Sequence, residues 1–152
     1  MGKDTLTFGS TPQVGERVLV LRREWMDKVF DGSKTLEIRD KRLREGDAWL
    51  GCKSVVYGKA RLGRTVTIDN DDDWAALRPL HLVASTRPYK STCGLPVLAV
   101  SRLHEGVPYF HPRGAVGIVK FKPRAQHGET WAQPAAAAEE AGSPEAQRRR
   151  LS

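Results

Sequence analysis

The hydrophobic positions near the start of the chain change their period, which predicts a strand followed by a helix. Residues 17–21 form a short apolar run of the kind found in buried strands. Over residues 24–30 the period becomes helical, and Trp25 and its apolar neighbours fall on one face. Gly32 then suits the end of the helix, because glycine tolerates the left-handed conformation that terminates many helices.

Residues 33–39 return to the alternating period of a strand. Leu36 and Ile38 occupy one face, and Glu37 and Arg39 occupy the other. Side chains two residues apart on a strand project to the same side, with Cα atoms about 6.5 Å apart. Glu37 and Arg39 therefore either pair with each other, as an ion pair that seals the barrel mouth, or present an acceptor and a donor to one ligand.

The rest of the chain up to residue 123 predicts further strands and short helices. Strands are expected over 47–53, over 55–69 with bends at two glycines, and over 96–104 and 115–121, the last two paired with each other. Three aspartates, Asp71 to Asp73, precede an apolar turn and predict a capped helix start rather than a metal site. Residues 79–96 show no clear period beyond a helical turn around 81–84. Bulged, curling strands of this kind favour a small barrel.

The composition divides the chain into three predicted parts. Residues 1–14 are predicted to be a flexible leader, residues 15–123 one folded domain, and residues 124–152 a disordered tail. The tail ends in Arg-Arg-Arg-Leu-Ser, a short pattern that fits either a kinase site or an import signal. Hydrophobic residues make up 39% of the chain, and no run approaches the roughly 18 apolar residues of a membrane span. We therefore expect no membrane partner.

The positive charge of the chain lies in the predicted domain. The formal net charge is +7 at pH 7, and residues 15–124 hold 21 Lys and Arg against 13 Asp and Glu. This excess favours a polyanionic partner, although an ordinary solvated surface explains it as well. The residues expected to meet nucleic-acid phosphates are Lys41, Arg42, Arg44, Lys59 and Arg61.

The two cysteines argue against a metal site. Cys52 and Cys93 lie far apart and lack the spacing of zinc ligands, so we interpret them as reduced, partly buried thiols of a cytoplasmic or nuclear protein. No motif predicts a metal or a cofactor. The single histidines are expected to be exposed, without a catalytic role. A monomer is the expected state.

The segment from Gly32 to Arg39, which reads Gly-Ser-Lys-Thr-Leu-Glu-Ile-Arg, resembles the GxKxxExR signature of the ASCH domain in the PUA-like superfamily. Trp25 in the preceding helix, a glycine and aspartate turn at 46–47, and a glycine-containing closing segment at 114–118 follow in the order of that family. The resemblance implies an α+β fold, a small mixed β-barrel of five or six strands flanked by two or three helices. It also implies a cleft between helix and barrel in which the signature's polar residues gather.

The resemblance implies RNA or nucleotide binding in this cleft. Lys34 is expected either to interact with the carbonyls at the end of the first helix or to meet a phosphate or another ligand oxygen. Trp25 is expected to pack in the core or, at the rim of the cleft, to stack a base. Tyr109 is expected to supply a second wall of the cleft or to fill the barrel. The full set of residues expected at the ligand is Trp25, Lys34, Thr35, Glu37, Arg39, Tyr109 and His111.

An enzymatic alternative remains open. Some ASCH-like proteins resemble acetylcytidine amidohydrolases, which use a lysine, a nearby threonine and a separate glutamate, and others are proposed to cut RNA. Here Glu37 occupies the position expected for that threonine, and Thr35 lies two residues earlier. No glutamate lies between Glu45 and Glu105 to act as the distant acid or base. These departures favour a binding protein; if the chain is an enzyme, Lys34 and Glu37 are the catalytic candidates.

Overall fold

Seven strands and three helices make up the part of the chain that the computed structural model describes, residues 8–124. The strands are β1 (Arg17–Val20), β2 (Leu36–Arg39), β3 (Gly46–Cys52), β4 (Val55–Leu62), β5 (Val66–Ile68), β6 (Thr92–Pro108) and β7 (Ile118–Lys120). The helices are α1 (Arg23–Phe30), α2 (Asp71–Ala76) and α3 (Arg78–His81). Residues 1–7 of the predicted leader, and the predicted tail from residue 125 with its arginine-rich end, lie outside the described residues. No helix between residues 8 and 124 is long and apolar enough to cross a membrane.

The strands form one curled, mixed sheet. The order is β2-β6-β4-β3-β1-β7, and β5 pairs with the first part of β6. β1 and β3 run parallel, and the other neighbours run antiparallel. The sheet curls into a half-barrel and no ladder joins β1 to β2 among the described strands. The α+β fold class predicted from the sequence is confirmed.

Two strand predictions were wrong in detail. The single strand predicted over 55–69 is divided into β4 and β5, which both pair along β6 but are separated by a bend at 63–65. Gly63 starts this bend, and its N–H donates to the carbonyl of Pro96 over 2.8 Å. The strands near 96–104 and 115–121 exist, but they do not pair with each other. β6 already pairs with β2, β4 and β5, and β7 pairs with β1 instead.

The predicted helical turn around 81–84 lies slightly earlier in the chain. α3 ends at His81, because Leu82 adopts the left-handed conformation with φ of 63°. The N–H of Leu82 donates to the carbonyl of Arg78 over 2.8 Å and closes the turn. This end of α3 leaves the carbonyl of His81 free to accept a hydrogen bond from elsewhere in the chain.

The apolar face of β2 holds this strand in place. Leu36 and Ile38 pack with Ile68 of β5 and Trp74 of α2 in a small core cluster. Strand side chains alternate between the two faces of a sheet. With Leu36 and Ile38 packed on one face of β2, the side chains of Glu37 and Arg39 leave the strand on the other face. The larger core lies between α1 and the inner face of the sheet, and it includes Met26 and Val29 of the helix.

Candidate functional site

A cleft of about 510 Å³ opens beside α1, β2 and the last residue of β1. We call it the signature cleft. The residues of the predicted site that line it are Trp25, Lys34, Glu37 and Arg39. Val20 and Gly117 border the side formed by β1 and the loop before β7. The structure thus brings four of the seven residues predicted at the ligand to one hollow.

Arg39 and Glu37 form an ion pair on the floor of the signature cleft. The Nε of Arg39 donates to Oε2 of Glu37 over 2.9 Å, and Nη2 donates to the carbonyl of Val20 over 2.7 Å. The guanidinium therefore bridges β2 and β1, which share no ladder. The sequence left a structural ion pair and a ligand site as alternatives; the geometry shows the ion pair, and both groups border the open cleft.

Lys34 is almost fully buried, with 1% of its surface exposed. Its ammonium donates to the carbonyl of His81 over 2.5 Å, lies 3.9 Å from Oε1 of Glu37, and sits 4.3 Å from the centroid of the Trp25 ring. Burial lowers the pKa of Lys34, and the charge of Arg39 acts in the same direction, whereas the carboxylate of Glu37 opposes both. The site therefore holds a poorly hydrated ammonium beside a carboxylate.

The backbone and side chain of Lys34 have different partners. The backbone N–H donates to the carbonyl of Lys28 near the end of α1, over 3.0 Å. The ammonium instead meets the end of α3 through His81. The predicted interaction of the Lys34 charge with the end of α1 is thus replaced by one with α3, because the neighbouring Thr35 bonds through its backbone N–H to the carbonyl of Leu80 in that helix.

His81 is a structural residue of the site that the sequence analysis missed. It is fully buried and stacks on Trp74, with ring centroids 3.8 Å apart. Its Nδ1 accepts from the N–H of Val83, so the ring proton lies on Nε2, which donates to the carbonyl of Trp74. Burial lowers the pKa of His81, which favours this neutral form. The expectation of an exposed ring was wrong here; Trp74, Leu77 and His81, spaced three and four apart, were the available signal of a buried helical face.

The loop after α3 forms the remaining wall of the signature cleft. Val83, Ser85, Pro88 and Tyr89 line this side. The indole N–H of Trp74 donates to the carbonyl of Ser85 over 2.9 Å and fixes the loop against α2. Tyr89 therefore presents a second aromatic ring to the cleft that already contains Trp25. No motif marks these loop residues in the sequence.

Two solved structures similar to this chain are both of variants of ZmASCH from Zymomonas mobilis. One has 18% sequence identity and a TM-score of 0.50, and the match covers 74% of this chain and 92% of that chain. The other has 18% identity and a TM-score of 0.52, covering 71% and 91%. The described chain has an ASCH-type fold. The predicted resemblance is thus confirmed for the fold. A scan against family models and a search of curated proteins find no match.

Three residues predicted at the ligand lie elsewhere in this ASCH-type fold. Thr35 is exposed outside the cleft, and its backbone bonds to Leu80 and Val97. Tyr109 is fully buried in a second core cluster, together with Val18 and Trp49. The Nε2 of His111 lies 2.8 Å from the carbonyl of Ala115, within the loop before β7. The structure does not bring these three residues to the signature cleft.

The two basic residues predicted on β4 are engaged within the fold. The ammonium of Lys59 donates to the carbonyls of Phe8 and Gly9, over 2.8 and 2.6 Å. The Nε of Arg61 donates to Oδ1 of Asp47, its partner across the β3 and β4 ladder, over 2.6 Å. Part of the predicted leader thus contacts the ASCH-type domain, and these two cations mainly stabilise it.

The other three predicted phosphate contacts lie on the loop that follows β2. Lys41, Arg42 and Arg44 are exposed. Thr65 holds this loop, because its hydroxyl donates to the carbonyl of Leu43 over 2.9 Å and accepts from the N–H of the same residue over 3.2 Å. The loop is therefore a fixed, positively charged element that begins directly after Arg39 on the cleft floor.

Proposed function

We propose that the signature cleft binds one unpaired nucleobase of RNA or of a nucleotide, and that the chain acts as a binding protein rather than as an enzyme. The observation that carries this proposal is the paired, largely buried floor of Lys34, Glu37 and Arg39 beneath the ring of Trp25. A volume of about 510 Å³ lies within the usual range of small-molecule sites and accommodates a nucleoside.

The polar groups of the floor match the edge of a nucleobase. Lys34 is buried beneath Trp25 and Glu37 and supports the floor by its charge, whereas Arg39 gives two of its five N–H donors to Glu37 and Val20, so its others can meet a ring nitrogen or a carbonyl. The carboxylate of Glu37 is acceptor-only and suits an exocyclic amino group. Trp25 and Tyr89 offer faces on which an unstacked base can lie.

The floor is organised before a ligand arrives. The guanidinium of Arg39 donates to Glu37 through Nε and to the carbonyl of Val20 through Nη2. These two hydrogen bonds fix the positions of both Arg39 and Glu37. Little side-chain freedom remains to be lost on binding, which favours affinity. Buried polar groups also favour specificity, because a ligand that leaves one of them unpaired is disfavoured.

The proposal is tested with the full chain and a fluorescently labelled, single-stranded RNA decamer of random sequence. Fluorescence anisotropy should show saturable binding that weakens with salt, with a slope of log K against log salt of about −0.7 for each phosphate contacted. A duplex of the same sequences should bind more weakly, because its bases are paired. No binding to the single strand at low salt would contradict the proposal.

A hydrolase is the second candidate, and one observation favours it. Burial lowers the pKa of Lys34 beside a carboxylate, which is an arrangement that proton-transfer sites use. However, Ser85 is the one serine or threonine among the described residues that line the cleft, and its hydroxyl donates to the carbonyl of Thr86. Chromatography of acetylated cytidine incubated with the full chain separates the two functions: turnover that Lys34→Ala abolishes would replace the binding proposal with an amidohydrolase.

A further inference from the structure

A second groove, of about 660 Å³, lies at the opposite end of β1 from the signature cleft. One side is formed by residues 15–17 together with Ile118 and Lys120, and the other by residues 42–45 of the loop after β2 and the first two residues of β3. The groove holds four cationic side chains, and we call it the basic groove: Arg17, Arg42, Arg44 and Lys120.

The carboxylates of the basic groove do not cancel its positive charge. Asp47 pairs with Arg61, a residue that does not line the groove. Oε1 of Glu16 accepts from the indole of Trp49 and from a backbone N–H. Glu45 is exposed at the rim. Asp47 is thus offset by Arg61, and the four cations of the groove outnumber the two remaining carboxylates, Glu16 and Glu45.

The cations of the groove have few partners of their own. Nη1 of Arg42 donates to the carbonyl of Thr65 over 3.3 Å. Between residues 8 and 124, neither Arg44 nor Lys120 forms an ion pair. Nη2 of Arg17 is buried and has no hydrogen-bond partner among these residues, although its Nε donates to the carbonyl of Asp47 over 2.8 Å. Burial lowers the pKa of Arg17, and the nearby charge of Arg44 lowers it further, against the opposing effect of Asp47. An anion in the groove would relieve this repulsion.

The basic groove and the signature cleft lie along the same two elements. On one side, Val20 bonds to Gly117 at the cleft, and Arg17 pairs with Lys120 at the groove. The distance along β1 between these two positions is about 10 Å, at roughly 3.3 Å for each residue. On the other side, the chain passes from the cleft floor at Arg39 directly into the loop that borders the groove. A linear polymer can therefore occupy both.

We propose that the basic groove binds phosphates of the RNA strand whose unpaired base enters the signature cleft. This inference rests on the function proposed above and narrows its ligand to a base within a strand, rather than a free nucleoside or nucleotide. Arginine suits the role because its planar N–H groups match phosphate oxygens, and Lys120 adds a point charge. The phosphate contacts proposed here are thus Arg17, Arg42, Arg44 and Lys120, without Lys41, Lys59 and Arg61.

Two double variants of the full chain with equal charge test this inference. Arg44→Gln with Lys120→Gln removes two exposed cations from the groove. Lys41→Gln with Lys122→Gln removes two exposed cations that lie close in sequence but line neither the groove nor the cleft. Thermal unfolding first establishes that both variants fold. The probes are the labelled RNA decamer of random sequence and a mixture of nucleoside monophosphates.

We expect the groove variant to bind the decamer about tenfold more weakly than the control variant does. Its salt slope should fall by about 1.4, since two phosphate contacts are lost at about 0.7 each. Affinity for the monophosphates should be the same in both variants, because a single nucleotide in the cleft does not reach the groove.

The other outcomes overturn the inference and separate it from the proposed function. Equal loss of decamer binding in both variants would mean a general charge effect. Equal loss of monophosphate and decamer binding in the groove variant would mean that the ligand is a single nucleotide. In both cases, if Trp25→Ala still weakens binding of the probe, the proposal that the signature cleft binds a nucleobase stays in place. A wild-type chain that binds neither probe would overturn both.

Discussion

Replacing Glu37 by alanine is expected to lower the free energy of unfolding by about 3 kcal/mol at neutral pH. Glu37 is 6% exposed and is the carboxylate that faces both Lys34 and Arg39. Its removal leaves a buried ammonium without a counter-charge, and this desolvation penalty is then uncompensated. We place the loss at the lower end of the range for buried pairs, because Lys34 keeps the carbonyl of His81 and Arg39 keeps that of Val20.

Urea unfolding of matched variants measures this effect. Glu105→Ala, which removes an exposed carboxylate from β6, should change stability by less than about 0.5 kcal/mol. Adding Lys34→Met to Glu37→Ala should recover part of the loss, because the unpaired charge is removed while the side-chain volume is kept. Strict additivity of the two changes, or a Glu37→Ala cost equal to that of Glu105→Ala, would show that the three groups do not act together.

Replacing Trp25 by alanine is expected to weaken binding of the RNA decamer by about 5- to 150-fold. Stacking of a base on an aromatic side chain contributes about 1–3 kcal/mol, and Trp25 forms a wall of the signature cleft. The same ring faces the ammonium of Lys34, so its loss also removes one contact that keeps this charge in place. Both effects lower affinity, and anisotropy titration at fixed salt measures their sum.

Phe110→Ala is the matched control for this experiment. Phe110 is also a large aromatic residue, half exposed, but it does not line the signature cleft. It contacts Lys122 instead. If RNA binds through incidental aromatic surface, the two variants should weaken it equally. A loss confined to Trp25→Ala, with an unchanged unfolding midpoint, assigns the effect to the cleft.

The local part of this site was predictable from the sequence. Side-chain direction in a strand depends only on alternation, so residues 33–39 indicated that Glu37 and Arg39 share one side of β2. That spacing permits the 2.9 Å ion pair that the structure shows. The helical period over 24–30 likewise indicated a helix directly before the strand, and Trp25 reaches the cleft from it. These features need no knowledge of distant contacts.

The distant part of the site was not predictable, because its contacts carry no local signal. Lys34 bonds to a backbone carbonyl 47 residues away, and any residue at position 81 has such a carbonyl. Lys59 and Arg61 are close in sequence to the basic loop, but their positions on β4 set them against Phe8 and Asp47. The prediction of phosphate contacts from clustered positive charge therefore wrongly included Lys59 and Arg61. It also missed Arg17 and Lys120, which the β1 and β7 ladder brings together.

The most direct test of nucleobase binding in the signature cleft is ultraviolet cross-linking of the unlabelled RNA decamer to the full chain, followed by peptide mapping by mass spectrometry. We expect RNA adducts on Trp25 or Tyr89, the two aromatic residues of the cleft. The Glu37→Ala variant, measured under conditions in which it remains folded, should give fewer of these adducts than the wild-type chain. Adducts confined to peptides of β4, around Lys59 and Arg61, with Trp25 and Tyr89 unmodified, would contradict the account.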